Sequence, residues 1–165
     1  LRLAMDEVVV VTGPAGRDRL NEVERVQFRD GTVALDLDDE VGLAWRLYEA
    51  GLDRAPDERG LAFHASRLAA GESASAIASD MLASPEAAAR HGSAPSNEAF
   101  VAAIYANVLD RAPDAPGLAW WTSRLDAGLS RADLLVAIAD SEEFRIAIAD
   151  RNPGGLWTGN AFPFE

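Results

Sequence analysis

Two histidines, four tryptophans and a large excess of acids are the side chains here that could do chemistry. Any Ser-His-Asp hydrolase would have to use His64 or His91. Neither lies near a Gly-x-Ser-x-Gly elbow, the sharp turn that exposes such a serine. Gly13-Pro14-Ala15-Gly16 lacks the Lys-Ser/Thr pair of a phosphate-cradling loop, and no Gly-x-Gly-x-x-Gly follows a strand pattern. Carboxylate pairs of the kind a glycosidase uses are plentiful, but no spacing singles one out. The chain is therefore read as non-catalytic.

Two constellations remain that could bind. Asp36, Asp38, Asp39 and Glu40 cluster the oxygen ligands that calcium favours, without the spacing or central glycine of an EF-hand. The preferred reading is a solvated linker with helix-capping acids. Calcium is the one cation to test, and no other cofactor is expected. The second constellation is Trp120-Trp121. Aromatic rings stack on the apolar faces of sugars, and a neutral glycan needs no opposite charge. Trp121 falls on an apolar stripe and is assigned to the core. Trp120 is the better ligand candidate, with Tyr105, Asp114 and Arg111 as polar neighbours.

Bulk properties narrow the partners. The 165 residues fit one domain, or one domain plus a short annex. Apolar residues make up 48%, enough for a real core, and cysteine is absent, so neither disulfides nor thiolate metal sites enter. With 27 acidic against 15 basic residues, the net charge is −12 and the pI about 4.5. Such a surface repels phosphate backbones and anionic membranes, so nucleic acid is not an expected partner. No apolar run is long enough to span a bilayer. The chain begins on Leu1 with no basic-then-apolar leader, and is read as a piece of a larger protein whose upstream domains are its neighbours.

The elements that must position these residues are set by a duplication. Asp53-Arg54-Ala55-Pro56-Asp57-Glu58-Arg59-Gly60-Leu61-Ala62 returns, 57 residues later, as Asp110-Arg111-Ala112-Pro113-Asp114-Ala115-Pro116-Gly117-Leu118-Ala119. The same offset carries Tyr48 to Tyr105, Ser66-Arg67-Leu68 to Ser123-Arg124-Leu125, Gly71 to Gly128, Ser84 to Ser141 and Glu86 to Glu143. Each copy reads as four short helices. The first spans 41–51, or 97–109 in the second copy. Asp57 and Asp114 cap the second helices, each braced by the arginine three residues earlier. Gly71 and Gly128 end those helices. Ser73 and Ser130 cap the third, Ser84 and Ser141 the fourth. Leu118, Trp121 and Leu125 form one buried stripe, matched by Leu61, His64 and Leu68; Trp120 and Phe63 lie at its margin. Gly60 and Gly117 permit close packing or a tight first turn.

Upstream, Val8–Val11, Val23–Phe28 and Thr32–Leu37 read as strands, with Arg29-Asp30-Gly31 as a hairpin connection. The expected fold is mainly α: two tandem four-helix repeats packed together over 39–151, with a small N-terminal β annex over 1–38. Residues 152–165, with Pro153-Gly154-Gly155, are expected to form an irregular tail. There Trp157 and Phe162 either mark export or fold back over the core.

The tract Tyr-x4-Asp-Arg-Ala-Pro-Asp-x2-Gly-Leu-Ala, followed by an aromatic pair, Arg-Leu-x2-Gly and Ser-x-Glu, resembles the bacterial domain of unknown function numbered 4214. It occurs from Ala44 to about Ala89 and from Val101 to about Ala147. Its Arg-x-Pro-Asp-x2-Gly core is similar to the helical linker domain of phycobilisomes. Copy one departs from the family at Phe63-His64, where an aromatic followed by Trp is usual. Upstream, Gly16-Arg17-Asp18-Arg19-Leu20 and the stretch from Val23 to Gly31 resemble the segment that closes the calcium-binding region of repeats-in-toxin proteins. That resemblance implies an extracellular protein exported by type I secretion with an uncleaved C-terminal signal.

The expected function is a non-catalytic C-terminal module of a secreted bacterial protein, acting in surface interaction, with a carbohydrate or cell-surface polymer as ligand. The alternative is a structural or secretion-assisting cap with no small-molecule ligand. An appendage to an upstream hydrolase is the third reading.

Overall fold

In the computed structural model, residues 9–13, 16–20, 23, 25–29, 31–35, 37–92, 94–152 and 155–159 are described. Among them the chain forms eight helices, four per copy, which is the expected mainly α fold. The first copy holds α1 (Glu40–Leu52), α2 (Glu58–Ala69), α3 (Ala74–Leu82) and α4 (Pro85–His91). The second holds α5 (Asn97–Leu109), α6 (Ala115–Asp126), α7 (Arg131–Ala139) and α8 (Glu142–Arg151).

Every one of these helices begins on a side-chain cap. Asp39, Asp57, Ser73, Ser84, Ser96, Asp114, Ser130 and Ser141 each accept from the backbone N–H three residues on. Each cap contributes about 1 kcal/mol by satisfying an otherwise orphaned amide. The second helices close as Schellman motifs. Gly71 (φ 87°) donates to Leu68 O at 2.8 Å while Glu72 donates to Arg67 O at 3.0 Å. Gly128 (φ 103°) repeats this to Leu125 O at 3.1 Å, and Leu129 to Arg124 O at 2.9 Å. The first helices stop differently: Asp53 and Asp110 adopt left-handed backbone at φ 50° and 49°.

The two copies meet like to like, α1 on α5 and α3 on α7, with α1 also against α7. Leu47, Phe100, Ile104, Leu135, Phe144 and Ile148 are buried in this seam and its surroundings. The closeness of α1 and α7 rests on Gly51, where a Cβ would lie 3.0 Å from Leu135 Cδ2. Asn107 Nδ2 donates to Ala50 O at 3.0 Å, stitching α5 to the end of α1.

One buried cation crosses the same seam. Arg46, 1% exposed, donates through Nε to Ala139 O at 2.9 Å and through Nη2 to Asp140 Oδ1 at 2.6 Å. Its Nη1 donates to Leu37 O. A guanidinium there meets the negative end of α7 and satisfies carbonyls that the helix leaves unpaired. Arg145 joins from α8, donating to Asp140 Oδ1 at 2.6 Å and to Asp38 Oδ1 at 2.5 Å. The linker ahead of α1 is thus tied to the second copy's α7–α8 corner, directly through Asp38 and Arg145 and indirectly through Arg46.

Among the described residues the β annex forms two sheets. β1 (Val9–Gly13) and β2 (Gly16–Leu20) form an antiparallel hairpin. β3 (Arg25–Phe28), β4 (Gly31–Ala34) and β5 (Leu156–Gly159) form an antiparallel sheet in the order β3-β4-β5. Of the expected connection Arg29-Asp30-Gly31, Gly31 is instead the first residue of β4, paired with Phe28, and Asp30 lies outside the described residues. The end of the chain departs from expectation: instead of a wholly irregular tail, residues 156–159 return to pair with β4. Thr32, Ala34, Leu156 and Thr158 line the buried face, where Thr158 Oγ1 donates to Thr32 O at 3.0 Å. Burying an alternating row of small and apolar residues outweighs the cost of ordering four residues after a Pro-Gly-Gly break. Phe28 and Trp157 sit on the other face, partly exposed, with ring centroids 6.4 Å apart. Phe162 lies outside the described residues, as does Val8.

Candidate functional site

The site candidates come from α5, α6 and the loop between them. Asp110 turns the chain out of α5, and after Pro113 the Asp114 Oδ1 accepts from Gly117 N at 2.8 Å to start α6. Pro116, in the first helical turn, removes only an N–H that the helix would not use. Gly117 leaves room for two groups. A Cβ there would lie 2.6 Å from Asp114 Oδ1 and 3.5 Å from Tyr105 Oη.

Around this turn the side chains form a layered stack. Trp121, partly buried, donates from Nε1 to Tyr105 Oη at 3.1 Å. Arg111 lies over the Tyr105 ring, 5.6 Å from its centroid, and donates to Glu143 Oε1 at 2.7 Å on α8. Trp120 meets Trp121 edge to face, with centroids 4.5 Å apart and planes at 81°. Trp120 itself is 50% exposed. The structure therefore brings Trp121, Tyr105 and Arg111 together and leaves Trp120 at their outer edge.

Two expectations change. Arg54 and Arg111 do not brace the capping aspartates. Arg54 reaches Glu86, donating from Nη2 to Oε2 at 2.9 Å, as Arg111 reaches Glu143. A free carboxylate on the fourth helix, taken in a bidentate pair by Arg54 and through one bond by Arg111, offers the guanidinium more than a carboxylate already accepting a backbone N–H. Nor are Arg111 and Asp114 the polar neighbours that touch Trp120. That place belongs to Arg124, whose guanidinium lies over the Trp120 ring at 4.7 Å. The i, i+4 spacing of Trp120 and Arg124 on one helix is the signal that would have found it.

Copy one repeats the layout with different chemistry. Arg54 lies over the Tyr48 ring at 5.1 Å, and its hydrogen bond holds the Glu86 carboxyl below its ordinary range. Tyr48 Oη packs so tightly on the α2 turn that a Cβ at Gly60 would lie 2.3 Å from it. Burial pushes this phenol up, against the opposing pull of Arg54. Phe63 takes the place of Trp120 and is 58% exposed. His64 takes the place of Trp121, edge-on to Tyr48 at 5.5 Å and to Phe63 at 5.0 Å. Its Nδ1 is buried without a hydrogen-bond partner among the described residues. Burial, helped by Arg67, holds the imidazole below its usual range.

The remaining candidates are structural in place. His91 Nε2 bonds Gly51 O at 2.7 Å and its ring stands edge-on to Phe100 at 5.8 Å. In the acidic run, Asp39 caps α1 and pairs with Arg25, while Asp38 pairs with Arg145. Asp36 lies outside the described residues. Among the described residues no three His, Cys, Asp or Glu side chains gather to hold a metal ion. No helix among them is long and apolar enough to cross a membrane.

Comparison with known proteins adds a family. The model described as "Domain of unknown function (DUF4214)" matches twice, over residues 42–90 and 78–147. No curated protein and no solved structure matches the chain. The two matches run from the start of α1 into α8 and cover both copies of the Arg-Ala-Pro-Asp turn, so the chain belongs to the DUF4214 family, a domain of unknown function.

Proposed function

We propose that this chain is a non-catalytic C-terminal module of a secreted bacterial protein that binds carbohydrate through the exposed indole of Trp120. The observation that carries the reading is a large aromatic ring, half exposed, held edge-on against a fixed neighbour. Trp121 is tied to Tyr105, and the Arg111–Glu143 pair flanks that tyrosine. A ring held in this way loses little conformational freedom when a sugar stacks on it, which is what makes an aromatic platform effective. Arg111 lies over the tyrosine that holds Trp121, and Asp114 caps the helix that carries both tryptophans. The second exposed aromatic, Phe63, occupies the same position in copy one.

The extracellular setting and the type I route rest on the resemblance of residues 16–31 to the end of a repeats-in-toxin region. In that reading calcium belongs to stacked parallel repeats upstream, because β2 itself is the return strand of an antiparallel hairpin. A glycan array probed with the purified chain, with and without calcium, and with Trp120→Ala, tests the proposal. A hit lost in the variant supports it. A hit that survives the substitution moves the site elsewhere.

A second reading has its own support. Tyr105, Arg111, Asp114 and Gly117 all hold helices together, as a structural or secretion-assisting cap would need. Fusing the chain to a reporter and measuring export through a type I system separates the two. Export conferred by the chain, with an array that stays blank, favours the cap.

A further inference from the structure

We infer that the carbohydrate taken at Trp120 is an acidic one, a uronate whose carboxylate is held by Arg124. The inference rests on the carbohydrate reading above and adds the ligand's charge to it.

The argument is a comparison of the two copies. In each, an arginine one helical turn on lies over the exposed aromatic: Arg67 over Phe63 at 5.3 Å, Arg124 over Trp120 at 4.7 Å. In copy one that guanidinium is occupied. Arg67 donates from Nε to Glu72 Oε2 at 2.7 Å and from Nη2 to Asp80 Oδ2 at 2.6 Å, and the Glu72 carboxyl is held low by it. The positions 57 residues on are Leu129 and Ala137, so both acids are missing from copy two. Arg124 is exposed, and its guanidinium makes no hydrogen bond or ion pair among the described residues. In a chain of net charge −12, the ring best placed to stack on a sugar carries a guanidinium whose edge N–H donors are open.

Arginine stacked on an aromatic keeps its in-plane donors free, and their fork matches the two oxygens of a carboxylate. A pyranose with a carboxylate at its ring margin offers both surfaces together, an apolar face for the indole and an anion for the fork. The overall negative charge does not forbid this, because at physiological salt charges beyond about 8 Å are largely screened.

The test uses galacturonate and mannuronate oligomers and their methyl esters, which keep the sugar and remove the charge. Wild-type protein is expected to bind the acids about tenfold more tightly than the esters, the lower range for hydrogen bonds to a charged group. Raising salt should narrow that preference. In Arg124→Gln the acid-to-ester ratio falls towards one. In Arg67→Gln, whose guanidinium is already paired, the ratio holds. Esters bound as well as acids, with both lost in Trp120→Ala, would overturn the acidic ligand and leave the carbohydrate reading standing. An unchanged ratio in Arg124→Gln would also overturn it. No binding of any oligomer would overturn the acidic ligand, and a glycan array blank as well would overturn the carbohydrate reading with it.

Discussion

Replacing Arg46 by Met should cost about 3 kcal/mol, a large share of the roughly 5–15 kcal/mol that holds a domain folded. The substitution keeps the apolar stem of a side chain that is 1% exposed and removes only the guanidinium. Two carbonyls, Ala139 O and Leu37 O, then lose that donor beside a buried helix end. A buried acceptor left dry costs about 1–3 kcal/mol. The third partner limits the damage. Asp140 is 41% exposed and keeps Arg145, so no uncompensated buried charge remains. The roughly 3–5 kcal/mol of a broken buried pair is therefore a ceiling. Asp140→Asn, which retains an acceptor oxygen, should cost under about 1 kcal/mol. Urea titrations followed by helical circular dichroism measure both, with an unchanged denaturant slope as the condition for comparing midpoints. A cost for Arg46→Met within about 1 kcal/mol of wild type would contradict this, because a donor serving one buried and one part-buried carbonyl is worth more than that.

Other substitutions probe the repeat. Removing Arg54 and Glu86 singly and together should give a coupling energy of about 0.5–1 kcal/mol, the range for a partly exposed pair with good fork geometry; additivity would show that the fork contributes nothing. Asp110→Gly should gain about 0.5 kcal/mol by relieving a left-handed backbone, after losing the weak pair to Arg151. A lower melting temperature in that variant would show that the aspartate does more than end the helix. Acidification should weaken the fold through His64. The folded state resists a proton that the unfolded chain accepts near 6.5, so the unfolded state binds more protons and stability falls as pH drops through that value. The slope is at most about 1.4 kcal/mol per pH unit for one proton. His64→Phe should flatten the wild-type decline between neutral and mildly acidic pH, and an identical decline in both proteins would assign it to other groups.

The parts that were legible in the sequence were the local ones. A capping Asp or Ser acts within three residues, and a Schellman glycine within five, so the repeated turns announced their helices directly. Glu86 and Glu143 also recur at the repeat offset, yet nothing local links them to Arg54 and Arg111, whose partners lie a whole helix hairpin away. Arg46 left even less trace: position 103 in copy two is alanine, so the duplication gave no second example of it. The strand at 156–159 was hidden for a related reason, since its partner β4 is more than a hundred residues upstream and its four residues carry too short an alternation to read. At the site, the apolar stripe sets Trp121, which packs against the core, apart from exposed Trp120, whereas nothing in the Arg-Ala-Pro-Asp motif points to Arg124, which lies over the Trp120 ring.

The most direct test of the central claim is calorimetric titration of the best array ligand into wild-type protein and Trp120→Ala, with a thermal melt of each. Because Trp120 is half exposed, the variant should keep the wild-type melting temperature to within a few degrees while its affinity falls at least about tenfold, the loss of roughly one stacked ring. Wild-type affinity in a folded Trp120→Ala protein would contradict the claim.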